Sequence, residues 1–205
     1  MSDSYNLNLS VAEQRKQLRT QLRKARNVLS GTEQKTATTE IASQVQQELK
    51  SANNVALYLA NDGEISPELI IKALWQANKH VLLPVMHSLR KGYLNFQRYE
   101  KNMQLPLNQY GICEPNLDST QTVALDDIDV ILMPLVGFDD KGNRLGMGGG
   151  YYDRTLNRLN VMTHPPRLIG LAHDCQQVEN LPIEGWDIPL DMIITPNQKI
   201  FVKDT

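Results

Sequence analysis

With 205 residues, of which 41% are hydrophobic and 21% charged, the chain has the size and make-up of one globular domain. Its formal net charge of -2 gives no reason to expect nucleic acid or a membrane surface as partner. No apolar run approaches the ~20 residues of a membrane span, and the opening MSDSYNLNLS lacks the basic and apolar regions of a signal peptide.

Residues 1–10 read as a flexible N-terminal arm and 11–205 as a single domain. Cys113 and Cys175 lie far apart without metal-ligand spacing, which fits reduced thiols and a cytoplasmic location. A helix is predicted from Val11, capped by Ser10 with Glu13 three residues on, and striped by Leu18, Leu22, Ala25 and Leu29. Its basic residues include Arg15, Arg19 and Arg23, which repeat at four and share a face. The phrase SGTEQ opens a second helix with Ile41, Ala42, Val45 and Leu49 on its stripe.

VALYLA (55–60) has no helical period and reads as a buried strand. A turn, NDGEISP, leads to a helix striped by Leu69, Ile70, Ala73, Leu74 and Ala77, with Trp75 on its core face. HVLLPVM (80–86) reads as a strand stopping near Pro84, which has no amide proton for a ladder. YLNFQRY (93–99) is a third strand, and 101–127 a long connection. DVILMPLVGF (129–138) is the most apolar strand, followed by the turn DDKGN, in which Asp139 and Asp140 read as turn residues. Strands at 167–172, 191–196 and 199–204 complete the sheet. Trp186 sits in a Pro-rich loop, and His173 beside Asp174 is a candidate to line a site. Strands alternating with helices predict an α/β fold with helices on both sheet faces.

The densest functional signal is RLGMGGGYYDR (144–154). It is not a P-loop, because no Lys-Ser/Thr pair closes it. Gly146, Gly148 and Gly150 form G-x-G-x-G, near the dinucleotide fingerprint, but DDKGNRL separates them from the strand. A phosphate-holding nest of bare amides is a further reading, with Arg144 adding charge and Asp153 facing a magnesium ion. A tight turn with the tyrosines in the core is the plain alternative. The Arg15–Arg19–Arg23 ridge has three readings: a solvated face, a nucleic-acid contact, or guanidinium forks reaching a polyphosphate.

The chain resembles the 5-formyltetrahydrofolate cyclo-ligase (methenyltetrahydrofolate synthetase) family from about residue 11 to 196. The segments that carry the resemblance are RKQLRTQLRKAR, YLANDGEI, YGICEP, LMPLVGFDDKGNRLGMGGGYYDRTL and LIGLAHD followed by LPIEGWDIPLDMIITP. The resemblance implies a Rossmann-like, three-layer α/β/α domain with a mainly parallel, mixed central sheet. It implies conversion of 5-formyltetrahydrofolate and ATP to 5,10-methenyltetrahydrofolate, ADP and phosphate, with magnesium, through phosphorylation of the formyl oxygen and attack by N10. By this resemblance Arg15 and Arg19 reach the ATP phosphates, and Gly146, Met147, Gly148, Gly149 and Gly150 cradle them behind Arg144. Glu64 lies beside the folate, Tyr151 and Tyr152 line its pocket, and Asp153 and Asp191 belong to the magnesium end. Some members carry Arg and Lys where this chain has Met147 and Gly149, which shifts phosphate binding toward Arg15, Arg19 and Arg144. Tyr110 is the candidate for a pocket tryptophan of other members, and Lys91 and Arg98 for the partners of the folate's glutamate tail. The expected partner is that folate, with or without a polyglutamate tail, bound by a monomer. An NAD-dependent oxidoreductase and an RNA- or ribosome-associated module using the basic helix are the competing classes.

Overall fold

The computed structural model describes residues 9–109 and 111–202. Residues 1–8 of the expected arm, Tyr110, and 203–204 of the last expected strand lie outside the described residues.

Helix α1 (Val11–Asn27) starts on the expected capping box of Ser10 and Glu13. A second such box, Ser30 with Glu33, starts α2 (Gly31–Glu48) directly after α1 ends, so the new helix begins with its first-turn amides satisfied. Strand β1 (Asn54–Ala56), helix α3 (Glu68–Gln76) and strands β2 (His80–Met86), β3 (Leu94–Arg98) and β4 (Thr122–Val123) follow. Then come β5 (Val130–Pro134), β6 (Gly137–Phe138), β7 (Arg144–Leu145), the short helix α4 (Tyr151–Leu156), β8 (Arg167–Leu171), β9 (Met192–Ile194) and β10 (Lys199–Phe201).

Among the described residues, eight strands form one sheet in the order β10-β9-β8-β5-β1-β2-β3-β4. The central run β9-β8-β5-β1-β2 is parallel, and β10, β3 and β4 join it antiparallel. The expected mixed, mainly parallel sheet is therefore present. Strand β5 is buried on both faces. Val130 and Leu132 pack with Ile41, Val45, Ile70 and Leu74 of α2 and α3. Ile131 and Met133 pack on the other side with Leu156 of α4 and Phe138. Two-sided burial is why 129–138 reads as unbroken apolar sequence rather than as alternation.

Several boundaries differ from expectation. The strand predicted over 55–60 ends early: after Leu57 donates to the Leu82 carbonyl, the chain turns away from the ladder. The strand expected to stop at Pro84 continues to Met86. Val81 accepts from Tyr99 and His87 donates to Tyr93, the residues flanking β3, whereas the Leu82 carbonyl faces the β1 side and accepts from Leu57. By alternation Pro84's missing donor points to the β1 side, where the ladder has already ended. The single strand expected over 129–138 splits, because Gly137–Phe138 pairs back on Arg144–Leu145 as a separate hairpin. The buried stripe of α3 is Ile70, Ile71 and Leu74, while Leu69 is exposed. The α1 stripe runs Leu18, Leu22 and then Arg26, which is completely buried. Leu18 and Leu22 pack on Val136, Leu145 and Leu181, so α1 lies against the hairpin rather than flat on the sheet.

Candidate active site

Strand β1 pairs with β2 on one side and β5 on the other, and the connections leave in opposite directions there. This switch point is where open α/β sheets leave a crevice at their carboxyl ends. A cavity of about 760 Å³ occupies it. Its floor is Tyr58 and Leu59 beyond β1, Pro134 and Leu135 at the end of β5, and Leu83 and Pro84 of β2.

The glycine loop and α1 form one wall. Gly148 (φ 100°) and Gly150 (φ 65°) are left-handed, a conformation that strains residues with a β-carbon. A β-carbon on Gly149 would stand 2.8 Å from the Tyr151 ring. The local sequence is thus dictated by a tight backbone path. Helix α4 behind it has only six residues, so the loop amides rather than a long helix dipole present positive potential here. Arg19 donates from Nε to the Gly146 carbonyl at 2.8 Å and has no carboxylate in ion-pair contact among the described residues. Burial, and then the neighbouring Arg15 charge, lower its proton affinity. Arg19, buried beside the Arg15 guanidinium and without a carboxylate of its own among the described residues, is suited to take an anion. Arg144 is buried, pairs with Asp153, and lies with Cζ 5.7 Å from the Tyr152 ring centre. Its Nε is buried and has no hydrogen-bond partner among the described residues.

The opposite wall carries Glu64. The turn 61–64 places it there: Asp62 (φ 50°) and Gly63 (φ 75°) are both left-handed, reversing the chain so that Glu64 faces the cavity. The Glu64 side chain is 12% exposed. Burial raises its pKa above the ordinary value, opposed by the Asn61 amide and the Arg26 charge. Tyr58 is buried, donates to the Ile65 carbonyl, and is shifted well up by burial. Burial raises Tyr152 likewise. Both phenols therefore stay neutral and serve as apolar walls with a polar tip.

The structure gathers Arg15, Arg19, Glu64, Arg144, Gly146, Met147, Gly148, Gly149, Gly150, Tyr151, Tyr152 and Asp153 around this one cavity. It does not bring Asp191 there. Asp191 immediately precedes β9 and its carboxylate accepts from the Leu168 amide at 2.6 Å, at the amino end of the parallel strands and so away from the crevice. The carboxylate that joins Asp153 is instead Asp187. It forms a bidentate ion pair with Arg15 and lines the cavity, and the next amide, Ile188, donates to Asp153 at 3.4 Å. Asp187 escaped sequence reading because its role depends on the loop 181–190 folding back under α1. Its position four residues before Asp191 in WDIPLD was the available signal.

The basic ridge is not a free surface. Arg15, Arg19 and Arg23 each engage this molecule, the last through Asp62. Lys91 and Arg98 do not line the cavity, whereas Trp186 and Glu114 do. His173 is buried outside it, its basicity lowered by burial. Asp139 is fully engaged by the amides of Lys141, Asn143 and Leu181, so it is a turn residue that also anchors the 181–190 loop.

Could the site hold the magnesium that its expected chemistry uses? Among the described residues no cluster of three or more His, Cys, Asp or Glu side chains could hold a metal. Magnesium commonly takes one or two carboxylates, waters and substrate phosphates, and Asp153 with Asp187 beside the glycine loop fits that donor set.

An anion cradle opening onto an aromatic wall with one buried carboxylate, at the switch point of a parallel sheet, defines an α/β enzyme that acts on small molecules. The model of the 5-formyltetrahydrofolate cyclo-ligase family matches residues 11–196, and the chain belongs to that family. It is 46% identical over 180 residues to the 5-formyltetrahydrofolate cyclo-ligase of Haemophilus influenzae, covering 87% of this chain and 95% of that one. It is 47% identical over 148 residues to the Escherichia coli K12 enzyme of the same name, covering 72% and 80%. The solved 5,10-methenyltetrahydrofolate synthetase of Aquifex aeolicus superposes with a TM-score of 0.79 at 30% identity, over 93% of this chain and 94% of that one.

Proposed function

We propose that this protein converts 5-formyltetrahydrofolate to 5,10-methenyltetrahydrofolate, consuming ATP and releasing ADP and phosphate. The observation that carries this reading is the single cavity in which Arg15, Arg19, Arg144 and the glycine loop face Glu64, Tyr58 and Tyr152. The chemistry supplied by bound magnesium-ATP is phosphorylation of the formyl oxygen, which makes the formyl carbon open to attack by N10 and lets phosphate leave.

Phosphoryl transfer needs placement and charge neutralisation more than covalent help from the protein. Gly146 to Gly150 offer amides, and Arg15, Arg19 and Arg144 offer guanidiniums to the phosphates. Asp153 and Asp187 would hold the metal. Both are ion-paired to arginines of the cradle, so cation and polyphosphate would exchange partners together when they bind. Tyr151 and Tyr152 pack against the planar pterin. Glu64 stands where positive charge builds at N5, and its carboxylate opposes that charge and manages the proton of N10.

The competing readings lose their footing. The dinucleotide fingerprint needs its glycines directly off a strand of the parallel sheet, and the β6–β7 hairpin stands between β5 and Gly146. An RNA-binding helix needs its cations on an outer face, and Arg15 and Arg19 line the cavity while Arg23 pairs with Asp62. Among the described residues no helix is long and apolar enough to cross a membrane. The proposal takes the protein to act as a monomer, and the expected location is the cytoplasm.

The deciding experiment mixes the protein with magnesium, ATP and 5-formyltetrahydrofolate and follows methenyltetrahydrofolate absorbance. Growth of that absorbance only when all three are present is the expected result. Its absence with a folded protein would overturn the proposal.

A further inference from the structure

Arg26 has no part in the chemistry above, yet it is a fully buried charge in a small domain. Such a residue costs stability unless its donors are used. Its Nε donates to the Asp62 carbonyl at 2.7 Å, one terminal nitrogen to the Leu135 carbonyl at 3.0 Å, and the other to the Asp62 carboxylate at 2.9 Å. That last nitrogen stands 3.8 Å from the Glu64 carboxylate. One side chain thus joins three elements: helix α1, the segment leaving β5, and the turn that delivers Glu64.

The turn needs such a tie. Asp62 and Gly63 are consecutive left-handed residues, which cost energy at Asp62 and hold only where the surroundings enforce them. Asn27 and Arg23 add bonds to the Asp62 carboxylate. The helix presses close enough that a β-carbon on Gly63 would meet the Asn27 amide oxygen at 2.3 Å.

We infer that Arg26 is a positioning residue, which with Asp62 clamps the 61–64 turn to α1 and so fixes the Glu64 carboxylate in the cavity. The same helix carries Arg15 and Arg19. Arg26 lies eleven positions after Arg15, about 16 Å along the helix, so α1 is a strut that sets the distance between the anion cradle and the Glu64 carboxylate. The charged and titratable groups around the Glu64 turn include Arg26 from α1, Asp62 of the turn itself, Tyr58 beyond β1, Tyr152 of α4 and His173, which bonds the Gly63 backbone and is held neutral by burial. Arg26 is the one cation among them.

The inference rests on the proposed cyclo-ligase reaction, and steady-state kinetics of Arg26→Lys and Arg26→Gln test it. Lysine keeps the charge and loses the fork, so R26K should lower kcat at least tenfold while KM for ATP changes less than about twofold, since small displacements of a reacting group can cost on the order of 10² in rate. R26Q should lower kcat further and move the acid limb of the pH–rate profile upward, because Glu64 loses the Arg26 charge that lowers its pKa. Asp62→Asn keeps a residue tolerant of the left-handed turn and is the second handle if the Arg26 variants do not fold. It should show the same kcat-selective loss in milder form. Folded variants with wild-type kcat, or losses spread equally over kcat and both KM values with no change in the pH profile, would overturn the clamp. An inactive wild-type protein would instead overturn the proposed function.

Discussion

Arg15 on helix α1 and Asp187 on the 181–190 loop form a bidentate ion pair at the cavity wall, both side chains about seven-eighths buried. The pair joins the first helix to a loop 172 residues further along the chain. The Asp187 bond is the largest influence on Arg15 and raises its proton affinity, so the arginine stays cationic and pre-aimed. Asp187 is pulled both ways: burial favours its neutral form, but the Arg15 bond and the Glu184 amide leave its pKa lowered. Asp187→Ala should therefore raise KM for ATP and the magnesium requirement about tenfold or more, with KM for the folate nearly unchanged. Initial rates at varied magnesium and ATP check this, and a D187A protein with unchanged magnesium dependence would contradict it.

Arg19 donates to the Gly146 carbonyl and lies beside Gly148, where a β-carbon would stand 3.4 Å from Cζ. Arg19→Ala should raise KM for ATP far more than KM for the folate. Gly148→Ala should be harmful even though the new methyl group has room, because φ is 100° there. A cost of about 1–3 kcal/mol is expected from such backbone strain. Denaturant unfolding of G148A and paired KM measurements on R19A test the two statements.

Glu64 links activity and stability with opposite signs. Its folded pKa is raised above the ordinary 4.5 by burial, so at low pH it is protonated and equivalent to a neutral residue, and stability is lost relative to one as pH rises through the folded pKa. Glu64→Gln should match the wild-type melting temperature near pH 4 and exceed it at pH 7. The same variant should lose about 10²-fold or more in kcat at saturating ATP. Thermal melts at the two pH values and one assay suffice, and a loss under about threefold would remove Glu64 from the mechanism.

Asp62 behaves in the other direction. Hydrogen bonding from Arg23 first, helped by Asn27 and Arg26 against the cost of burial, depresses its pKa from 3.8 to about 2. Its contribution is therefore complete above the unfolded value of 3.8 and is lost as pH falls through about 2. Asp62→Asn should melt below the wild type at pH 7, with the gap closing between pH 4 and pH 2.

Local chemistry was legible without coordinates. The Ser10–Glu13 cap, the Ile41–Val45–Leu49 stripe and the β2 strand follow from neighbours in sequence, because capping and helical periodicity are settled within a few residues. The glycine loop was legible because left-handed backbone demands residues without a β-carbon. Chain order alone did not tell whether Asp191 or Asp187 joins Asp153, since both lie in one short loop and only its docking under α1 selects Asp187. Nor did it separate Arg26 from the other basic residues of α1: its place on the buried stripe looks like a break in amphipathicity until the Asp62 turn arrives to accept its hydrogen bonds. Sequence determined the elements, the switch in period from helix to strand, and the residue types fit for an anion. Tertiary structure decided which charges neutralise one another, because a buried ion pair is a property of two surfaces brought together and neither partner's neighbours along the chain encode it.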